Sequence, residues 1–436
     1  MESIQVIIIG AGPGGTSAAI RLAQNGFKVA LIDRAMPVGS KNLSGGVLWG
    51  NDLAEILPEW QEEAPIERHI INKKVGFLSN DDSTVLDFNF NEWNSKPYNG
   101  VSILRAKFDD WLASKASEAG VAVLSGITID SLIIENDQIK GVRQGNEELR
   151  ADIVILAEGA NPRLMLKHGL SFKGQKQFKR KDMMLGIKEV LTIDQKLLEE
   201  RFLLEKDQGI AGEFVLGNIP GGIKAGGFFY TNKSTISLGV VIHLDSFPED
   251  KASSAQHRTY KVQEYFKNHP YISRLIKDST SIEYGAKLIP EMPIDRFPNF
   301  YGNGYLIVGD AAGFVFSNGI VIQGMNYAIK SGILAADTII EANGNYSATK
   351  LAMYQKKLSN SYILKDFKKF KNVKKMTKNS KLFEIYPKAI NTGFKEVFNT
   401  NGKSKNHAYK VILKSFKNSG MGFLSLLKDS SKIRRI

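Results

Sequence analysis

The sequence predicts an α/β protein in which a nucleotide-binding domain is interrupted by a β-rich α+β insertion and followed by a helical C-terminal region. Two glycine-rich loops, at residues 10–15 and 309–313, each follow a short apolar run. Between them, residues 172–297 are rich in β-branched and aromatic residues. After residue 345, lysines are mixed with apolar residues at helical intervals. We therefore predict a discontinuous nucleotide-binding domain of residues 1–165 and 298–345, an inserted domain of residues 166–297 and a basic helical region of residues 346–436.

The first glycine-rich loop has the strand–loop–helix context of a Rossmann-like dinucleotide site. The apolar run VIII precedes Gly10-x-Gly12-x-x-Gly15, and a helix-like stretch follows as far as Gly26. Gly10 permits the tight turn, Gly12 lets backbone amides approach a pyrophosphate, and Gly15 lets helix and strand pack closely. The next strand ends at Asp33, whose carboxylate could bind ribose hydroxyls. The alternative is a glycine-rich turn in an ordinary α/β protein, which this combination disfavours.

The second glycine-rich loop distinguishes a flavin from a nicotinamide. The strand-like run YLIV leads to Gly309 and Asp310, and a helix begins near Gly324. The ribityl chain of FAD needs an acceptor for its hydroxyls, which Asp310 can supply. A helix N-terminus stabilises the negative charge that an isoalloxazine ring gains at N1 and O2. NAD has no such second requirement, so the pattern predicts FAD; the alternative is that Asp310 only caps a helix.

Two segments between the loops add candidate residues. Arg105 begins a predicted helix after the strand-like VSIL, where its guanidinium could reach a phosphate or the flank of the flavin; the alternative is a surface arginine. The apolar run DIVILA ends at the turn Glu158–Gly159, which we expect to face the cofactor. In the insertion, GGFFYT and STISLGVVIHL form strands that would cover the reactive face of the flavin.

Composition excludes several kinds of chemistry. The 436 residues are 43% hydrophobic and 24% charged, which is ordinary for a globular protein, and contain no cysteine. Disulfides, cysteine redox chemistry and a cysteine-ligated iron–sulfur cluster are therefore excluded, and the six histidines show no metal-ligand spacing. The N-terminus runs directly into the first strand, which argues against a signal peptide and for a cytoplasmic protein.

A series of motifs resembles one flavoprotein family across nearly the whole chain. These are GSKNLSGGVL at 39–48, GGFFYTNKSTISLGVV at 226–241, NHP at 268–270, YGAKLIPE at 284–291 and GDAAG with QGMNYAIKSGILAAD at 309–337. Together they are similar to the FixC-type flavoproteins, relatives of electron-transfer flavoprotein:quinone oxidoreductase within the glutathione-reductase-like FAD superfamily. The motifs SGG, GGFFYTN and YGA in that order are far more specific than a glycine loop.

The resemblance implies an activity, a cofactor and partners. In this family, FAD accepts electrons from an electron-transfer flavoprotein and passes them toward a quinone, sometimes within an electron-bifurcating complex that includes a ferredoxin-like subunit. The quinone oxidoreductases carry an iron–sulfur cluster in a C-terminal ferredoxin-like domain. This chain has no cysteine, so the resemblance implies a separate ferredoxin-like partner.

The resemblance also assigns cofactor-binding residues, while no general acid or base stands out and the flavin itself would be the catalyst. The pyrophosphate would lie against Gly10, Gly12, Gly14 and Gly15, with Asp33 and Arg34 at the adenosine end. A loop beside the isoalloxazine would consist of Lys41, Asn42, Ser44 and Gly45; its alternative is a flexible glycine turn. Arg105, Gly159, Gly309, Asp310, Gly324, Met325 and Asn326 complete the predicted site.

Two other functions stay open at this point. A geranylgeranyl-reductase-like enzyme of the same superfamily would reduce isoprenoid double bonds and would need a long apolar channel in the insertion. A scaffold subunit would hold FAD without turnover.

The charge of the chain is concentrated in its C-terminal region. Residues 346–436 contain 22 Lys and Arg against 4 Asp and Glu, a net charge of +18, whereas the whole chain has +13. A lysine-rich solvated face, an anionic membrane surface and an acidic redox partner are competing interpretations. Nucleic acid fits less well, because no nucleic-acid-binding module is visible. The membrane interpretation predicts a peripheral position on the inner face of the cell membrane.

Overall fold

The computed structural model describes residues 3–42, 45–170, 179–247 and 258–421. Ser44, one of the predicted site residues, lies outside them. In chain order the strands are β1 (Val6–Ile9), β2 (Val29–Asp33), β3 (Gly46–Trp49), β4 (Ile66–Ser79), β5 (Asp82–Asn89), β6 (Gly100–Ile103), β7 (Ala122–Ser125), β8 (Ser131–Glu135), β9 (Gln138–Gln144), β10 (Glu147–Arg150), β11 (Ile153–Leu156), β12 (Met183–Thr192), β13 (Gln208–Gly217), β14 (Ala225–Thr231), β15 (Thr235–His243), β16 (Thr280–Pro290), β17 (Tyr301–Gly302), β18 (Tyr305–Ile307), β19 (Phe316–Ser317) and β20 (Ile322–Gln323).

The α-helices connect these strands and continue beyond the last of them. They are α1 (Pro13–Ala23), α2 (Trp60–Glu63), α3 (Arg105–Glu118), α4 (Arg163–Lys167), α5 (Gln195–Phe202), α6 (Thr259–Asn268), α7 (Pro270–Leu275), α8 (Met325–Ala342), α9 (Ala348–Leu351), α10 (Met353–Asn360), α11 (Tyr362–Lys369), α12 (Val373–Thr377), α13 (Lys381–Glu384), α14 (Tyr386–Phe398) and α15 (Ala408–Asn418). Short 3-10 helices lie at Asp52–Glu55, Asn91–Asn94, Arg180–Asp182, Leu244–Ser246, Ile294–Arg296 and Gly309–Ala312.

The nucleotide-binding half is built on a mostly parallel sheet in the order β17-β18-β11-β1-β2-β7. Strand β1 pairs in parallel with both β2 and β11, and α1 connects β1 to β2. Helices cover a parallel sheet on both faces, so its central strands are continuous apolar runs. This explains the sequences VIII and IVIL, whose residues are all buried. The predicted Rossmann-like, α/β class is confirmed.

The second half is a mixed sheet in the order β16-β12-β15-β14-β13-β4-β6-β3, with β5 paired to β4. The two predicted strands of the insertion, β14 and β15, form a hairpin that turns at residues 232–234, and β13 runs parallel to β4. Strands β3 to β6 come from residues 46–103, which the sequence analysis placed in the nucleotide-binding domain. The large sheet therefore crosses the predicted boundary at residue 165. Pairing between β4 and β13 joins residues about 140 apart in sequence, so local patterns could not reveal it.

Two hydrophobic cores stabilise these halves. One surrounds the parallel sheet and α8, and the other packs α5, α6 and α7 against the large sheet around Phe214, Phe229 and Phe266. The described part of the C-terminal region, residues 346–421, is mainly helical, as predicted, but its first helices belong to the first core: Leu351 and Tyr354 are fully buried there. Helices α14 and α15 form a separate hairpin with a small apolar cluster of their own. Among the described helices, none has the length and apolar character to cross a bilayer.

Candidate flavin-binding site

A cavity of about 1280 Å³ lies between the two sheets. Its lining comes on one side from the glycine loops that follow β1 and β18, and on the other side from strands β12 to β16 of the large sheet. Pockets for drug-sized ligands are commonly roughly 300–1,000 Å³, so this cavity is large enough for a bigger molecule such as a dinucleotide. The glycine loops predicted from the sequence thus share one cavity with the β-rich half.

The phosphate end of the cavity is formed by the first glycine loop. A Cβ atom on Gly15 would lie 2.0 Å from the Gly10 carbonyl oxygen, so glycine is required there for close packing. A Cβ atom on Gly12 would meet only Arg105 Nη2, at 3.9 Å. Helix α1 begins directly after Gly12, with Pro13 at its first position and no acidic residue in its first turn. The loop is therefore tight behind Gly12 and open in front of it, and the positive helix end faces this space, which fits a pyrophosphate.

Asp33 is held rigidly at the end of β2. Its Oδ2 accepts a hydrogen bond from the backbone N–H of Ala11 at 2.8 Å, and its Oδ1 accepts one from Ala35 N–H at 2.7 Å. Each carboxylate oxygen has a second acceptor site. The carboxylate lines the cavity and can still receive ribose hydroxyls, as the sequence predicts.

Arg105 is a cavity residue rather than a surface residue. Only 14% of its side chain is exposed, and Nε and Nη2 donate to the two oxygens of Asp109 at 2.8 and 2.7 Å. Burial opposes the positive charge, but the charge and hydrogen bonds of Asp109 outweigh it and raise the pKa of Arg105 above its ordinary value. Asn42 also donates to Asp109. The fixed guanidinium faces Gly12, where it can meet a phosphate.

Three polar residues of the large sheet, Lys188, Tyr230 and Lys287, line the middle of the cavity, and none of them was predicted. Lys188 Nζ donates to the Gly45 carbonyl oxygen at 2.7 Å and lies 3.3 Å from the Tyr230 hydroxyl. Burial, together with the charges of Arg105 and Lys287, lowers the pKa of Lys188 to about 7. Burial also lowers the pKa of Lys287. This positive cluster suits a ring that gains negative charge on reduction.

A weak signal for Lys188 exists in the sequence. In MLGIKEVL, residues 184–191, Met184, Gly186 and Lys188 alternate on one face of β12, and all three line the cavity. The sequence alone did not show which face of this strand would meet the flavin.

Asp310 faces the same cluster. Asp310 lies inside the first turn of a 3-10 helix whose N-cap residue is Val308, so it is not the cap residue of that helix. Within the described residues its carboxylate has no hydrogen-bond donor, while a Cβ on Gly324 would lie 3.6 Å from Asp310 Oδ1. The Gly309 N–H donates to Ser331 Oγ at 3.0 Å and holds the loop. The carboxylate is thus oriented into the cavity with its acceptor sites available for ribityl hydroxyls.

Most of the predicted site residues share this cavity. Those that line it are Gly10, Gly12, Gly14, Gly15, Asp33, Arg34, Lys41, Asn42, Gly45, Arg105, Gly159, Gly309, Asp310, Gly324 and Met325. Asn326 does not line it: its amide donates to Gln323 Oε1 at 3.2 Å. Successive helical residues point about 100° apart, so the neighbour of Met325 turns away from the cavity. The roles assigned to individual residues stay predictions.

The turn at Glu158 and Gly159 has a structural role as well. Glu158 accepts hydrogen bonds from the backbone N–H groups of Leu164 and Met165, at 2.8 and 3.1 Å, and so caps α4. Burial raises its pKa. Glu158 therefore holds the turn in place, and Gly159 lines the cavity.

Comparison with known proteins identifies the class. Residues 4–191 match the pyridine nucleotide-disulphide oxidoreductase family, residues 183–289 match the ubiquinone-binding model of ETF-QO, and residues 373–436 match the C-terminal domain of the ETF-QO/FixC family. Together with a cavity built from two glycine loops, these matches define an FAD-dependent oxidoreductase.

The relatives define the family more closely. The chain is 35% identical to Protein FixC of Escherichia coli K12, over 99% of this chain and 98% of that protein, and 37% identical to Protein FixC of Azotobacter vinelandii, over 95% of each. It is 33% identical to a probable electron transfer flavoprotein-quinone oxidoreductase of E. coli K12, over 99% and 98%. The chain therefore belongs to the FixC and electron-transfer flavoprotein–quinone oxidoreductase family.

Solved structures agree on the fold. A geranylgeranyl bacteriochlorophyll reductase-like protein from Thermoplasma acidophilum superposes with a TM-score of 0.71 at 21% identity, covering 99% of this chain and all of that one. The flavin-dependent brominase Bmp2 superposes with a TM-score of 0.61 at 17% identity, covering 81% and 83%. At these identities the likeness concerns the fold alone. When bound, FAD supplies the electron-transfer chemistry, and the residues described above supply its binding and electrostatics.

Proposed function

We propose that this protein passes electrons from an electron-transfer flavoprotein, through bound FAD, to a quinone. The observation that carries the proposal is the shared cavity: the glycine loops line one side, and strands of the segment similar to the ubiquinone-binding model line the other. Its volume of about 1280 Å³ is above the range of roughly 300–1,000 Å³ that is usual for pockets of drug-sized ligands. The names of the relatives point to the same donor and acceptor.

A separate ferredoxin-like protein is part of the proposal. The chain has no cysteine and therefore cannot ligate a cluster through thiolates. If a cluster takes part, it has to belong to another subunit. Isolation of the native complex and identification of its subunits by mass spectrometry tests this point; a complex without any iron–sulfur protein contradicts it.

The test of the main proposal is an anaerobic two-step reaction. Reduced electron-transfer flavoprotein should bleach the bound FAD at its visible absorbance, and a short-chain ubiquinone analogue should restore it. FAD that is never reduced by the flavoprotein would favour the scaffold alternative. Reduced FAD that reoxidises with a geranylgeranyl substrate but not with quinone would favour the isoprenoid reductase, the activity named for the Thermoplasma relative in fold.

We also propose that the protein is cytoplasmic and lies peripherally on anionic membrane through α14 and α15. Apolar side chains are exposed on this hairpin between lysines. We call this face the α14–α15 surface; it consists of Phe394, Phe398, Tyr409, Lys410, Leu413, Lys414 and Lys417. An exposed mixture of lysine and aromatic residues suits a negatively charged interface.

A further inference from the structure

One end of the cavity contains a histidine–carboxylate pair to which the flavin site assigns no role. His243 Nδ1 lies 3.4 Å from Glu291 Oε2. The side chains are 9% and 15% exposed, and both residues line the cavity. The imidazole uses Nδ1 for this contact, so Nε2 is the atom that can reach a molecule in the cavity.

The strand register separates this pair from the lysine cluster. In the antiparallel pairing of β12 with β15, His243 lies opposite Met184 and Gly239 lies opposite Lys188. Four residues of strand correspond to about 13 Å. The pair therefore lies well beyond the point where Lys188 contacts Gly45, and a second molecule can occupy the space along the sheet between them.

The walls at this end are mainly apolar. Met184 comes from the large sheet, and Met376, Leu382 and Phe383 come from α12 and α13 of the C-terminal region. The Phe383 ring lies 6.0 Å from the imidazole at an angle of 69°. An apolar chamber with one convergent polar pair favours an apolar molecule that carries a hydrogen-bond acceptor. A quinone head group has this chemistry.

Neighbouring groups hold the carboxylate in position. Thr377 Oγ1 donates to Glu291 Oε1 at 3.3 Å, which leaves Oε2 facing His243. Lys374 donates to the backbone carbonyl of Glu291 and lies 3.5 Å from Asp182, which also pairs with Arg296 at 2.7 Å.

One further ion pair lies close by, between Lys378 and Asp245 at 3.2 Å. Lys224 and Arg180 are also close, and their charged groups donate to backbone carbonyl oxygens of Lys378 and of Leu244 and Phe247. Glu291 is the carboxylate in contact with the imidazole.

We propose that His243 is the proton donor to a quinone oxygen, and that Glu291 positions its imidazole. The inference rests on the proposed function. Conversion of a quinone to a quinol takes two electrons and two protons. When bound, reduced FAD would supply both electrons and one of the two protons. The second proton comes from the His243 imidazolium at Nε2, which solvent then reprotonates, so that FADH⁻, quinone and H⁺ yield FAD and quinol.

The test compares two electron acceptors in anaerobic stopped-flow reoxidation of the reduced holoprotein. Ferricyanide takes one electron and no proton, whereas ubiquinone-1 needs protons. General acid catalysis contributes roughly 10²–10⁴-fold, so we expect the ratio of the quinone rate to the ferricyanide rate to fall at least tenfold in His243→Gln. Glu291→Gln should lower the ratio less and shift its pH profile. His407→Gln changes an exposed histidine in the same way and should keep the wild-type ratio.

The outcomes separate this inference from the function on which it rests. If wild-type FADH⁻ reduces ferricyanide but not ubiquinone-1, the proposed function fails. If the wild type reduces ubiquinone-1 and His243→Gln keeps both the ratio and its pH profile, the proton donor is another group. The wild type alone provides a second measurement that needs no variant. Replacing H₂O by D₂O should slow reoxidation by quinone more than it slows reoxidation by ferricyanide. Equal solvent isotope effects for the two acceptors would also overturn the inference.

Discussion

At the scale of single residues, the first glycine loop separates positions that serve folding from positions that serve the ligand. Gly15 packs against the Gly10 carbonyl, while Gly12 has only Arg105 Nη2 near its missing side chain. The backbone at Gly12 has φ −74° and ψ 176°, which any residue can adopt. A side chain introduced at position 12 would therefore extend into the space for the cofactor and would not collide with the protein.

We expect Gly12→Val to fold and to lose FAD, because its methyl groups occupy the space where phosphate oxygens would lie. Flavin absorbance per polypeptide should fall to background, while the far-UV circular dichroism of the apoprotein stays unchanged. Gly15→Val is the contrasting variant: its side chain collides with the Gly10 carbonyl, so folding itself should fail. Stoichiometric yellow flavin in purified Gly12→Val would show that this loop does not hold the pyrophosphate.

Lys188 should make the stability of the apoprotein depend on pH. Burial lowers its pKa to about 7 in the folded state, against about 10.4 for an ordinary lysine. Between these values the unfolded chain binds a proton that the folded protein does not, so Lys188 makes the free energy of unfolding rise with pH from about 7 to 10. In Lys188→Met this component should be absent.

Urea unfolding of the wild-type and Lys188→Met apoproteins between about pH 7 and 10 measures how the free energy of unfolding of each depends on pH. Lys196→Met, which changes an exposed lysine, should retain the wild-type slope. If the free energy of unfolding of Lys188→Met rose with pH as much as that of the wild type, the pH dependence would come from other groups.

At the scale of elements, the nucleotide-binding half depends on the contact between α1 and α8. A Cβ atom on Gly332 of α8 would lie 2.0 Å from the Gly14 carbonyl oxygen of α1 and 3.3 Å from Ala18 N. The atoms it meets are backbone atoms, so neither helix can relieve the contact by a change of side-chain rotamer. This contact also sets the position of the helix end that faces the pyrophosphate.

Gly332→Ala should therefore destabilise the protein, although alanine is the better helix former. Overpacking typically costs roughly 1–3 kcal/mol, against a gain of about 1 kcal/mol in helix propensity. We expect a lower urea midpoint and weaker FAD retention. Glu341→Ala, at an exposed position of the same helix, should change stability little. A Gly332→Ala protein as stable as the wild type would mean that the helices can move apart at no cost.

Some elements around the cavity follow from local sequence patterns, and others do not. Strand, loop and helix around Gly10 and Gly309 follow from local periodicity and glycine spacing, and the structure brings both loops to one cavity. Lys188, His243 and Glu291 come to that cavity through the register of β12, β15 and β16, which are distant in sequence. No local pattern encodes this register, so the flavin loops and the covering strands could be predicted, but the individual polar residues of the facing wall could not.

At the scale of the whole molecule, the basic C-terminal region divides into two parts. Residues 346–436 have a net charge of +18. Within this region, Lys374 is partly buried and contacts Asp182 and the backbone carbonyl of Glu291, so it is fixed to the body of the protein. Lys410, Lys414 and Lys417 are instead exposed on α15. In α10 and α11, lysines face solvent and the apolar residues pack against the body of the protein. The α14–α15 surface differs, because it also exposes apolar side chains, such as Phe398, which is 78% exposed.

The last prediction concerns this surface. If it lies on anionic lipid, each lysine near the membrane should contribute about 1 kcal/mol to binding, and salt should weaken the interaction. The intact holoprotein should float with anionic vesicles at low salt, but not with neutral vesicles or at high salt. The variant with Lys410, Lys414 and Lys417 changed to Gln should float less, because three of these contributions are lost.

Three exposed lysines of the insertion, Lys196, Lys206 and Lys277, give a control with the same loss of charge, and their Gln variant should float like the wild type. Equal binding of the two triple variants would mean that net charge, rather than the α14–α15 surface, carries the interaction. No flotation of the wild type at low salt would contradict the membrane proposal. An acidic redox partner would then remain, in which case salt should slow electron transfer in the absence of lipid, and the α15 variant should slow it more than the control.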